Sequence, residues 1–142
     1  MRSPPATILA LIVLASGQDD VARDLGELQV KLGSLRTDDL WVDGDIFAKG
    51  VAWALRYESN LPPADLAVLR KALGRGRERA VALASGSHPW SAKKGKLVRG
   101  YRSAVDGSTQ PFGLVIPAGY DPARPIRLDV VLHGSSRPQG LS

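Results

Sequence analysis

The chain has 142 residues, of which 44% are hydrophobic and 23% charged. That is room for about one domain of ordinary globular composition. It has no cysteine and only two histidines, His88 and His133. Disulfides, cysteine metal sites and histidine-rich metal clusters are therefore excluded. Phosphate-loop, dinucleotide-binding, zinc and EF-hand patterns are missing from the sequence, and no cofactor is expected. The net charge of +5 is unevenly spread: acids such as Asp19, Asp20, Asp24, Asp38, Asp39 and Asp43 dominate residues 18–66. Bases such as Arg70, Arg75, Arg79, Lys93, Lys96 and Arg99 dominate residues 67–102, against Glu78. Two readings are open. The basic stretch contacts an anionic partner, or the two halves face each other or water.

Met1 and Arg2 form a short positive start, followed by the uncharged apolar stretch Ala6 to Ala15 and the small residues Ala15-Ser16-Gly17. This is the pattern of a signal peptide, residues 1–17, with cleavage after Gly17 and a mature chain beginning at Gln18. The alternative is a buried N-terminal helix. The stretch is too short to span a hydrocarbon core of roughly 30 Å, and no cysteine follows to carry lipid. The expected destination is periplasmic or extracellular, without a stable membrane anchor.

Three helices are expected across residues 18–88. In the first, Val21, Leu25, Leu28, Leu32 and Leu35 recur at steps of four and three and share one face, with Asp19 or Asp20 as cap. The second runs from about Asp45 to Glu58, with Ile46, Gly50, Trp53, Ala54 and Tyr57 as its seam and Asp43 or Asp45 as cap. The third starts near Pro63, where a missing donor is harmless, and carries the stripe Leu66, Leu69, Leu73, Gly76, Ala80 and Leu83. Gly74 and Gly76 weaken it by roughly 1 kcal/mol each relative to Ala, and Gly86 is its expected stop. With three complete apolar stripes, the helices are expected to form a compact unit without the strands.

After Gly86 the texture changes. Ser85 to Pro89 reads as a linker, with His88-Pro89-Trp90 as a hinge. Three strands are then expected: Lys96 to Ala104, Pro111 to Ile116, and Ile126 to Leu132. Asp106-Gly107 is a turn signal that joins the first two as an antiparallel hairpin. The prolines from Pro117 to Pro125 mark a loop. The third strand ends in His133-Gly134, which in some hydrolases places backbone N–H groups against an incipient oxyanion.

The order of these residues is more specific than His-Gly alone. Tyr101, Ser103, Asp106-Gly107-Ser108 and Gln110-Pro111-Phe112-Gly113-Leu114 come first. Pro117, Gly119-Tyr120 and the Leu128 to Gly134 run come after them. This segment, roughly residues 90–134, resembles secreted prolyl-oligopeptidase-like α/β-hydrolases. Gly50 to Glu58 and Arg77 to Ala80 look like the helical N-terminal region of the same proteins. The resemblance implies Ser-His-Asp chemistry on a peptide or ester substrate. It carries over one element only, an oxyanion hole at His133, Gly134 and the N–H of Ser135. No Gly-x-Ser-x-Gly occurs, His133 comes too early to be the base, and no catalytic nucleophile, acid or base is present.

The expected fold class is thus α+β: a helical region, residues 18–88, followed by the first strands of an α/β-hydrolase sheet, residues 89–142, truncated before its nucleophile. The expected function is an N-terminal fragment of a secreted serine hydrolase, peptidase or esterase, inactive as it stands and prone to aggregate through unpaired strands. The alternative is a non-catalytic exported binding module with a basic surface. Nucleic acid is not an expected partner. Lys93-Lys94-Gly95-Lys96 reads first as a solvated loop. Trp41, Trp53 and Trp90 read first as core residues rather than a sugar platform.

Overall fold

The structure, a computed structural model, describes the backbone of residues 6–132 and the side chains of residues 17–132. The elements run in the order α1 (Ala6–Gly33), a 3-10 turn (Asp39–Trp41), α2 (Val42–Tyr57), α3 (Pro63–Ala84), a second 3-10 turn (Pro89–Ala92), β1 (Gly95–Arg102) and β2 (Thr109–Ile116). The chain is α+β, three helices followed by a two-stranded antiparallel sheet.

The stripe of α1 is the core face: Val21, Leu25, Leu28 and Leu32 are buried, and Leu35 packs beside them half-buried. The helix runs unbroken through residue 17, so Asp19 and Asp20 lie inside it rather than at its cap. No helix among the described residues is long and apolar enough to cross a membrane. All six stripe residues of α3, from Leu66 to Leu83, are buried. It ends at Ser85, where Gly86 takes φ +70°. There the Gly86 N–H donates to the Leu83 carbonyl at 2.9 Å and the Ser87 N–H to the Ala82 carbonyl at 2.9 Å. These paired bonds satisfy carbonyls that the helix end leaves open, and the left-handed turn they require suits glycine.

The seam expected for α2 needs correction. Ile46 and Ala54 are buried as expected, whereas Gly50, Trp53 (56% exposed) and Tyr57 (68% exposed) face outward. Gly44, Ala48 and Val51 are buried in their place, and α2 packs on α1, α3 and the hairpin. The hairpin covers only the first turns of the Ile46–Gly50–Trp53–Tyr57 stripe. Beyond it, Trp53 and Tyr57 stack edge to face at 6.3 Å, with the Lys49 ammonium over Trp53. Neither Asp43 nor Asp45 caps the helix by a side-chain bond, because Trp41 is the N-cap residue. Asp38 instead accepts from the Leu40 N–H at 2.8 Å and caps the 3-10 turn.

α2 and α3 come close at two glycines. A Cβ on Gly76 would lie 2.7 Å from Leu28 Cδ2 and 3.6 Å from the Gly44 carbonyl oxygen, and one on Gly44 would lie 2.7 Å from Leu32 Cδ2. Gly74, two residues earlier, faces open space.

β1 and β2 pair from Gly95↔Ile116 to Arg102↔Thr109. Gly107 sits in the turn at φ +69°, and the Ser108 N–H and Oγ both donate to Asp106 Oδ1, at 3.0 and 2.9 Å. Those donors, with Ser103, hold the Asp106 carboxyl below its ordinary pKa. Tyr101 and Phe112 stack diagonally across the strands at 5.9 Å.

The third expected strand does not form. Ile126 to Leu132 has no strand assignment, and Leu128, Val130, Val131 and Leu132 are exposed, the last to 92%. A strand is stable only when its backbone groups meet a neighbour. The described sheet contains only β1 and β2, and this segment joins neither. Its described side-chain ion pair is local, Arg127 to Asp129 at 2.9 Å.

The two α3 glycines should respond oppositely to alanine. Gly74→Ala should stabilise the protein by about 0.5–1 kcal/mol, since helix propensity rises and nothing is displaced. Gly76→Ala should destabilise it by about 1–3 kcal/mol through overpacking against Leu28 and α2. Urea unfolding followed by circular dichroism measures both, and a shift of the same sign for the two variants contradicts the close approach.

Candidate functional site

The expected oxyanion element, His133, Gly134 and Ser135, lies outside the described residues. The site that the fold does assemble is centred on Asp43, at the start of α2, and opens into a groove between α3 and β1.

Asp43 is fully buried. Its Oδ1 accepts from the Gly100 N–H at 2.6 Å, and Oδ2 accepts from Trp90 Nε1 at 2.8 Å. Arg99 Nε donates to both oxygens, at 3.0 and 2.9 Å. Arg79 Nη1 donates to the Asp43 main-chain carbonyl at 2.6 Å and stands 3.9 Å from Oδ1. One carboxylate thus ties the start of α2 to α3, to the second 3-10 turn and to the middle of β1. Among the described residues no buried side-chain polar atom lacks a partner.

Arg79 is the second member of this cluster. Its Nη2 donates to the Val98 carbonyl at 2.7 Å. Its guanidinium carbon lies 4.9 Å from the Phe47 ring centre and 5.2 Å from that of Trp90. Aromatic faces attract a cation, and more strongly when water is excluded. Burial pushes the Arg79 pKa below its ordinary value, Asp43 pulls it back up, and the neighbouring Arg99 and Arg75 lower it further.

Gly100 is required by proximity. A Cβ there would lie 2.5 Å from the Val42 carbonyl oxygen and 3.0 Å from Ile46 Cγ2. Without a side chain, β1 comes close enough to α2 for the Gly100 N–H to reach the buried carboxylate.

Beside the cluster is an open groove of about 740 Å³, walled by Phe47, Trp90 and Leu97 and rimmed by Arg75, Lys93 and Lys96. Glu78 is the acid on its lining. Among the described residues no group of three or more His, Asp or Glu side chains is placed to hold a metal ion.

The three tryptophans part company here. Trp41 and Trp90 are buried and Trp53 is exposed, so they do not form one platform. The hinge expected at His88-Pro89-Trp90 is in fact an anchor, because the Trp90 indole is 8% exposed and bonded to Asp43. The acidic and basic halves do meet in part. Arg77 Nη2 reaches Asp24 at 3.1 Å, and Arg79 and Arg99 flank Asp43. The sequence alone presents Asp43 as a helix cap, and no local signal separates the two roles. Its partners Trp90, Arg99 and Gly100 lie 47, 56 and 57 residues further along the chain.

The chain matches no family model, no curated protein and no solved structure.

Residues 18–88 contain Asp43 and Arg79 but neither Trp90, Arg99 nor Gly100. A fragment ending there would lack the Trp90 indole, the Arg99 guanidinium and the Gly100 N–H that donate to the Asp43 carboxylate. Asp43→Ala in the full chain should cost about 3–5 kcal/mol, since it leaves Arg79 and Arg99 without their counter-charge. Urea denaturation measures the loss, and Trp90 emission should shift to the red at low urea. A loss below about 1 kcal/mol would mean that the cluster is dispensable.

Proposed function

We propose that residues 90–134 are the opening of the sheet of a secreted serine hydrolase of the prolyl-oligopeptidase-like α/β type, acting on a peptide or ester. On this reading the residues of this chain have no turnover by themselves. The observation that carries the reading is the exposed apolar run Leu128 to Leu132, followed in sequence by His133-Gly134. An apolar segment of strand composition with no partner is what a buried parallel strand becomes when its neighbours are missing. The hairpin preceding it supports the reading, since it closes around Asp106-Gly107 inside the segment that carries the resemblance.

Acyl transfer needs an activated nucleophile as well as an oxyanion hole, because the hole stabilises charge only after attack has begun. The expected result is no labelling by a fluorophosphonate and no hydrolysis of an activated ester above a Gly134→Ala control. The coding sequence downstream of Ser142 should then supply Gly-x-Ser-x-Gly, followed by an Asp and a His. Labelling of this chain, or a downstream sequence without that order in any frame, overturns the proposal.

Export belongs to the same reading and rests on the apolar stretch Ala6 to Ala15 and the small residues after it. N-terminal sequencing of the secreted product should begin at Gln18, and Met1 retained on secreted protein would contradict it.

A further inference from the structure

We infer that the groove between α3 and β1 binds an extended acidic peptide segment, which adds as a strand along the free edge of β1. The inference uses neither His133-Gly134 nor residues 126–132, which carry the hydrolase reading; it uses α3, the second 3-10 turn and the β1–β2 hairpin.

The backbone of β1 provides the first argument. β2 occupies one edge of β1. The Val98 carbonyl and the Gly100 N–H point the other way, since they bond to Arg79 Nη2 and Asp43 Oδ1. In an antiparallel strand the N–H and C=O of one residue project to the same edge, and alternate residues share that edge. The Val98 N–H and both backbone groups of Lys96 therefore face away from β2. Lys96 and Val98 line the groove, and no helix or loop residue among the described ones bonds to these groups. Asp43 and Arg79 thus close one end of the edge with side chains, and its other end opens into the groove. A free edge of this kind accepts an added strand, with main-chain bonds providing affinity and side-chain pockets providing selectivity.

Charge provides the second argument. Arg75, Lys93 and Lys96 on the rim are exposed and form no ion pair among the described residues, whereas the lining holds a single acid, Glu78. Arg79 at the base adds a cation that shares its counter-ion, Asp43, with Arg99. Field lines from one sign of charge concentrate in a concave surface with apolar walls, here Phe47 and Trp90. A strand places alternate side chains on one face about 6.5–7 Å apart, so carboxylates at every second position can meet the rim cations while the backbone pairs with β1.

The test uses the full chain and a fluorescein-labelled peptide of alternating Glu and Val, read by anisotropy at low and physiological salt. The peptide should bind, and R75E/K93E/K96E should weaken it by about tenfold or more with the helical circular dichroism unchanged. Glu78→Gln should tighten it by about twofold to threefold, which keeps the inference testable if the triple variant fails to fold. Methylating every backbone nitrogen of the peptide should abolish binding. The inference is overturned if the Glu-Val peptide does not bind or if the Glu78 variant leaves affinity unchanged. It is equally overturned if the methylated peptide binds as well, or if single-stranded DNA binds more tightly, since either marks a general cationic surface.

Discussion

The burial of the Asp43 carboxylate is the constraint on which the rest of this structure depends. A lone charge of that kind is strongly disfavoured away from water, and its cost falls only when donors surround it. Here the donors are an indole, a guanidinium and a backbone N–H, contributed by the second 3-10 turn and by β1. Each must arrive in place for the charge to be tolerated. The carboxylate therefore fixes the position of the hairpin against α2 in a way that apolar contact alone would leave loose.

Two glycine approaches arise from that constraint. Gly100 allows β1 to reach Asp43, and Gly44 beside Asp43 lets α2 sit against α3, where Gly76 receives it. The α2–α3 contact in turn brings Arg79 beneath the Asp43 main-chain carbonyl and between Phe47 and Trp90. Buried polar networks of this kind reward complete satisfaction and penalise partial satisfaction. The same geometry leaves the groove: with Arg79 and Asp43 occupying part of the β1 edge, α3 is held off the remainder and the cationic rim stays open to solvent.

The C-terminal part of the described chain obeys a different rule. The hairpin is closed by a local turn and docked on α2, so its order has both a local and a tertiary source. Residues 126–132 have only their composition. Val, Leu and Ile give them strand preference, but preference of this kind expresses packing against neighbours and has little force without them. Their exposed apolar side chains are the physical content of the hydrolase reading, and equally the site where the chain would associate with other strands.

What the sequence determined by itself is what short-range periodicity and turn chemistry encode. The faces of α1 and α3 were legible because Val21 to Leu32 and Leu66 to Leu83 keep helical spacing over several turns. The stop at Gly86 and the turn at Asp106-Gly107 were legible because positive φ selects glycine within a few residues. Tertiary structure alone decided the rest. It turned Trp53 and Tyr57 outward because the hairpin covers only the first turns of their stripe. It made Gly76 a contact rather than a weakness, and Trp90 an anchor rather than a hinge. It converted Asp43 from an apparent cap into the centre of the molecule, because a buried charge is defined by partners 47 to 57 residues away, and no local pattern carries that information.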